Sequence, residues 1–435
     1  MNNSRKPGFR VLSLAKMSLN VAADIASHKA KSLLFGGDDE VSKSRLNHKV
    51  GQELARTLSE MKGPLMKVGQ IFAQVKDIVP PEISEALGQL RQYAKPVDIQ
   101  VIREQIKQNL GDYPESLFEW FDETPYRAAS LGQVHKAKLK TGEDVVVKVQ
   151  YPDIQKDCSS DLKHLRHLFK VLPLLGVDSK SLDLVYLEIE EVIKRELDYV
   201  LEADTMKDFY EFFKDSDQVV IPFPYKALSG SSVITMSFEK GESLESFQKI
   251  RAQGRGEEAL VTKISENLFF CLTEQIFKLR KIHVDPHAGN FALKPDGRII
   301  IFDFGAVKEL DEKVVSTFQK LVAAMLAYDI ASIEKYLFEK GIRKEGSAEL
   351  GADFYNPWLD ILTKPFTQEE YSFEGCTIHS QAIQLAKGKW KENQAYFGPS
   401  RDTLLLDRLI VGHYWNLVHL KSNFSLKKQL SIYIS

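Results

Sequence analysis

The chain has 435 residues, 43% apolar and 27% charged, too many for one ordinary domain and enough to bury a large core. Lysine and arginine number 58 against 60 acidic residues, a formal net charge of −2 that argues against a dedicated nucleic-acid binder. Cys158, Cys271 and Cys376 are widely spaced without a C-x-x-C pair, which excludes a disulfide scaffold or zinc ribbon, and no apolar run approaches the ~20 residues of a membrane-spanning helix.

In chain order, the first 36 residues hold Arg5, Lys6, Arg10, Lys16, Lys29 and Lys31 against one acid, Asp24. Phe9, Leu12, Leu19 and Ala26 recur at ragged helical spacing. A solvated arm, contact with an anionic membrane surface and a transit peptide all remain open. Gly36-Gly37-Asp38-Asp39 reads as a linker. From about 45 to 110 the period is helical: Leu54, Leu58, Met61 and Leu65, then a helix opened by Pro80-Pro81 with Ile83, Leu87 and Leu90, then Ile102, Ile106 and Leu110 stopped by Gly111. Near 131 the period changes to two. Val134, Lys136 and Lys138 form a strand, Thr141-Gly142 a turn and Asp144–Val149 the returning strand. Helices follow from about 160 to 212, a strand over 232–238, a helix over about 257–281, a small hairpin over 290–302, and helices after Gly305.

The phosphate chemistry sits in three stretches. The first is His283-Val284-Asp285-Pro286-His287-Ala288-Gly289-Asn290, followed by Asp303-Phe304-Gly305. Protein kinases place a catalytic Asp, an Asn five residues on and an Asp-Phe-Gly beyond. Moving a γ-phosphoryl group concentrates negative charge, so oxygen ligands must hold Mg²⁺ on the phosphates. Asn290 and Asp303 are the expected ligands, and Asp285 orients or deprotonates the acceptor. The second is Lys148, which interrupts a valine strand where a kinase grips the α- and β-phosphates, with Glu202 as its expected helix partner. The third is Arg127-Ala128-Ala129-Ser130-Leu131-Gly132, where a kinase has G-x-G-x-x-G. Alanines keep the backbone from approaching phosphate with glycine's freedom. No G-x-x-x-x-G-K-[ST] occurs, which excludes a Walker-type ATPase, and no A-P-E follows Asp303.

Together these residues resemble the UbiB/AarF family of atypical kinase-like proteins, a family involved in ubiquinone biosynthesis. The resemblance rests on Lys67-Val68-Gly69-Gln70 as the K-x-G-Q signature, the alanine-rich loop, Gln133-Val134-His135, the Lys148 strand ending in Gln150-Tyr151-Pro152, Glu196 with Asp198, and the D-P-x-x-x-N loop. It implies an α+β, atypical two-lobed protein-kinase-like fold with a helix-rich C-terminal lobe. The expected division is a basic arm (1–44), a helical K-x-G-Q extension (45–115), an N-lobe with a helical insert (116–240) and a C-lobe (241–435). It further implies that ATP and Mg²⁺ are bound, with Ala128, Ala129, Ser130, Lys148 and Glu239 contacting nucleotide. Lys67 and Gln70, with Glu196 and Asp198, would regulate by covering the peptide-substrate position. Arg127 departs from the family's usual leading alanine.

The function implied is an ATPase supporting isoprenoid-quinone biosynthesis, peripheral to the bacterial cytoplasmic membrane or on the matrix side of the mitochondrial inner membrane. Its implied partners are ATP, an isoprenoid lipid or quinone intermediate, an anionic membrane surface and quinone-biosynthesis proteins, but no nucleic acid. A small-molecule phosphotransferase and a non-catalytic nucleotide- or lipid-binding scaffold stand as alternatives.

Overall fold

The computed structural model describes residues 13, 16–28, 40–61, 80–88, 96–128, 131–169, 179–386, 393–398 and 401–434. The chain divides into two compact units, Met1–Ala203 with Pro224–Phe238 and Asp204–Phe223 with Glu239–Ser435.

The first unit opens with helices α1 (16–28), α2 (Glu40–Met61) and α3 (Pro81–Gly88). Met17, Val21 and Ile25 recur every four residues on α1 and share one core with Val50, Leu54 and Leu58 of α2. The stripe read from the sequence is therefore not the packed one. Leu19 is 71% exposed and Ala26 is also exposed, while Phe9 and Leu12 lie outside the described residues.

Helix α4 (Ile99–Leu110) is capped at its start by the Asp98 side chain, which accepts from Gln100 N–H, and closes on Gly111 at φ 91°. Its buried Ile102 and Ile106 lie against an antiparallel sheet of β1 (Trp120–Phe121), β2 (Arg127–Ala128), β3 (Gly132–Lys138), β4 (Asp144–Gln150) and β6 (Val233–Ser237). On β4, Val145, Val147 and Val149 face this core. Strand alternation turns Val146, Lys148 and Gln150 to the opposite face. Val134 and Ile234 flank Lys148 in register. The unit continues into α5 (Ile154–Phe169), α6 (Ser179–Leu197) and the start of α7 (Tyr199–Phe213). Helix begins earlier than the sequence pattern indicates and breaks at Asp198.

The second unit holds a sheet in the order β5-β10-β9-β7: β5 (Val219–Val220), β10 (Ile299–Ile301), β9 (Phe291–Leu293) and β7 (Glu242–Ser243). The β9–β10 pair is the hairpin expected from the sequence, with Ile299 opposite Leu293 and Gly297 turning at φ 87°. Two further strands, β8 (Lys281–His283) and β11 (Val307–Glu309), pair antiparallel around the hairpin's ends in sequence. Helices α8 (Leu244–Ala252) and α9 (Glu258–Glu274) precede them. The helix expected to reach 281 ends instead in a wide π-helical turn, Gln275–Leu279, and Arg280 leaves it at φ 56°. Then come α10 (Glu312–Leu326), α11 (Ile330–Glu339), α12 (Ala352–Leu362), α13 (Ile378–Leu385) and α14 (Arg401–Leu420). Phe269, Leu272, Val284, Leu409 and Leu417 share one core. Among the described residues, no helix is long and apolar enough to cross a membrane.

Candidate active site

In the first unit, Lys148 Nζ donates to both carboxylate oxygens of Glu202, at 2.7 and 3.0 Å. Glu202 is 1% exposed and the Lys148 side chain 18%. The Nζ also lies 4.8 Å from the centre of the Tyr199 ring. A buried carboxylate costs several kcal/mol in desolvation unless a cation and hydrogen bonds offset it, and this two-pronged contact supplies both. The geometry begins at Asp198. Its side chain accepts from Leu201 N–H and its carbonyl from Glu202 N–H, both at 3.0 Å, so it starts the helix that carries Glu202. Gln150, two residues along the same strand face, donates to the Leu197 carbonyl at 2.8 Å and ties that junction to the sheet. Glu196 is half-buried one residue earlier in α6.

The loop ahead of β3 is described at Arg127 and Ala128, both exposed on β2 and paired to Val134 and Gln133. Ala129 and Ser130 lie outside the described residues, as do Lys67 and Gln70. Gly132 is fixed by contact: a Cβ there would stand 2.2 Å from the Val149 carbonyl oxygen. Gln133 and His135 have a structural reason that their sequence did not disclose. Both are wholly buried, joined to each other at 3.2 Å, and His135 Nδ1 donates to the Asp122 carbonyl at 2.8 Å. Gln133 also accepts from Val97 N–H. Burial lowers the His135 pKa, so the imidazole stays neutral and accepts from Gln133.

In the second unit, His283 organises the two acidic stretches. Its Nδ1 accepts from Asp285 N–H at 3.3 Å, so the proton sits on Nε2, which donates to the Asp303 carbonyl. The His283 N–H is itself taken by Gln275 Oε1 at 2.8 Å, from the π-helical turn. Gln275 donates to the Cys271 carbonyl at 3.2 Å. Burial pushes the Cys271 thiol up to about 12, which leaves it a packing group without nucleophilic character. Asn290 Nδ2 donates to the Asp285 carbonyl at 2.9 Å, which turns the amide oxygen the other way. Asp303 Oδ1 accepts from Gly305 N–H at 3.0 Å. Phe304, between them in sequence, is buried edge-on against Phe209 at 5.1 Å. Glu239 pairs with Lys294 at 2.8 Å.

This donor set fits Mg²⁺. Among the described residues, no three His, Cys, Asp or Glu side chains gather as a closed metal cage. An oriented amide oxygen and one carboxylate are what a hard cation uses when phosphates and water complete its shell.

Comparison with known proteins gives the family. The ABC1 atypical kinase-like domain matches residues 89–337, more than half of the chain. The chain belongs to the ABC1 atypical kinase-like family. Lys148, Glu202, Asp285, Asn290 and Asp303 all fall inside the matched segment. Among its relatives is the Dictyostelium discoideum "probable serine/threonine-protein kinase abkA", 26% identical over 96% of this chain and 77% of that protein. The Caenorhabditis elegans "atypical kinase coq-8, mitochondrial" is 32% identical over 66% of this chain but only 38% of its own length. A solved structure, the Mycobacterium tuberculosis protein Rv3197 in complex with erythromycin, is similar with a TM-score of 0.63 and 25% identity, covering 91% of this chain and 97% of that one. ABC1 family membership accounts for the α+β kinase-like architecture.

Proposed function

We propose that this ABC1-family chain binds Mg-ATP and hydrolyses it as a kinase-like ATPase in support of isoprenoid-quinone (ubiquinone) metabolism at a membrane surface. The observation that carries the reading is the Lys148–Glu202 pair. A strand amine held rigidly by a buried carboxylate is a preorganised cation for the α- and β-phosphates. Glu202 holds that amine in place. Asn290 and Asp303 would hold Mg²⁺, and the metal, when bound, offsets charge on the β- and γ-phosphate oxygens. Asp285 orients the attacking water and takes its proton as the bond from the γ-phosphorus to ADP breaks. Ala128, Ala129, Ser130 and Glu239 add nucleotide contacts. Lys67 and Gln70, working with Glu196 and Asp198, close the position a peptide substrate would need.

The quinone role is supported by the resemblance of the K-x-G-Q, alanine-rich-loop and D-P-x-x-x-N motifs to the UbiB/AarF family. Membrane contact is supported by the basic charge of the first 36 residues, which suits an anionic surface of a bacterial cytoplasmic or mitochondrial inner membrane. A second reading, phosphoryl transfer to a small molecule, is favoured by the relative's complex with erythromycin. Incubation with γ-labelled ATP, with and without quinone precursors, separates the two. Label released as inorganic phosphate supports hydrolysis, and label on an added small molecule supports transfer. Asp303→Asn is expected to remove nearly all turnover, about 100-fold or more, because a metal-ligand charge is lost. Unchanged turnover in that variant would overturn the metal assignment.

A further inference from the structure

We propose that helix α14, which begins beyond the family-matched segment, positions Asp285, and that Asn416 and Gly412 are the residues through which it acts. The inference rests on the reading of Asp285 as the group that takes the proton. The Asn416 amide is 4% exposed, and its Nδ2 donates to the Pro286 carbonyl at 2.9 Å. Its Oδ1 accepts from Gln248 Nε2 of α8 at 3.1 Å, which fixes the amide so that the nitrogen faces the loop. Pro286 lacks an N–H, so its carbonyl is its only backbone hydrogen-bonding group, and Asn416 takes it. One turn earlier, a Cβ on Gly412 would lie 2.0 Å from Pro286 Cγ and 2.9 Å from Pro286 Cβ. The helix backbone therefore touches the proline ring directly. A glycine inside a helix costs roughly 1 kcal/mol against alanine, so its place here needs a reason, and the proline contact supplies one. His413 packs its ring edge-on against Phe291, 5.7 Å between centres, immediately after Asn290. One face of α14 thus meets both ends of the 285–291 loop, while Asn290 closes that loop onto the Asp285 carbonyl.

The test compares steady-state ATPase kinetics of the full chain with Asn416→Leu, Gly412→Ala, Gln248→Met and Asp285→Asn. Misplacing a reacting group by about 1 Å costs on the order of 100-fold. The first two variants should lose about 10- to 100-fold in kcat per folded molecule, with KM for MgATP within about twofold of wild type. Gln248 is only half-buried, so Gln248→Met is expected to fold and is the decisive variant if Asn416→Leu does not. It should lose several-fold in kcat with its thermal midpoint little changed. A kcat per folded molecule equal to wild type in Gln248→Met and in every folded α14 variant overturns the positioning role. So does a kcat loss that merely follows loss of the thermal midpoint. Asp285→Asn separates the two claims. If it is inactive while the other variants are normal, only the α14 inference fails; if it retains wild-type kcat, the reading of Asp285 itself fails.

Discussion

At the scale of single residues, two buried charged or titratable groups give opposite stability signatures. Lys148 neutralises a carboxylate that is almost wholly buried. Lys148→Met removes that amine and should destabilise the protein by about 3 kcal/mol, whereas Lys148→Met combined with Glu202→Leu should recover much of the loss. Chemical denaturation of both variants measures this, and an additive double variant would show that the pair is not coupled. His413 acts through pH. Burial, with His283 nearby as a smaller influence, holds its imidazole down to about 3 from an ordinary value of 6.5. The folded protein keeps it neutral, while the unfolded chain protonates it near the ordinary value. Its contribution to stability is therefore complete above about pH 6.5 and is lost as the pH falls toward about 3. His413→Leu should flatten the acid side of the stability curve, by on the order of 1.4 kcal/mol per pH unit below about pH 6. Urea denaturation at several pH values reads the slope, and a slope equal to wild type would contradict the assignment. Neither His413 nor Asn416 announced itself in the sequence, because what they do depends on contacts from a helix more than a hundred residues downstream of the loop.

At the scale of elements, the β3–β4 hairpin was readable because Thr141-Gly142 marks a turn and the returning strand is rich in β-branched valine. Its closeness demands Gly132. Gly132→Ala places a methyl group 2.2 Å from the Val149 carbonyl and should destabilise the first unit by roughly 1–3 kcal/mol or more, seen as a lower thermal midpoint. An unchanged midpoint would mean that the strands spread without cost. The β8–β11 pair could not be read in the same way. Three residues on each strand carry no period, and their partners are set by His283 and the π-helical turn rather than by local pattern. On α1 the error was one of face. Leu19 and Ala26 compete with Met17, Val21 and Ile25 one or two positions away, and only burial decides between rows so close.

At the scale of the whole molecule, the residues proposed to handle phosphate fall in both units of the chain. The first carries the amine and its buried carboxylate, and the second carries Asp285, Asn290 and Asp303. The Asp285, Asn290 and Asp303 stretch stood out in the sequence because kinase chemistry fixes short spacings within a single loop. The support behind Asp285 that comes from Asn416 lies 130 residues along the chain from Pro286 and follows no local spacing. The central proposal is that the chain binds a magnesium nucleotide and needs both Lys148 and Asp303 to do so. Isothermal titration of the full chain with ATP, with Mg²⁺ and then with Mg²⁺ chelated, tests it most directly. The account predicts one Mg²⁺-dependent site per chain that is weakened at least tenfold both in Lys148→Met, which removes the proposed phosphate-binding amine, and in Asp303→Asn, which removes the proposed metal-ligand charge. Binding that persists unchanged without Mg²⁺, or that survives intact in either variant, would contradict it.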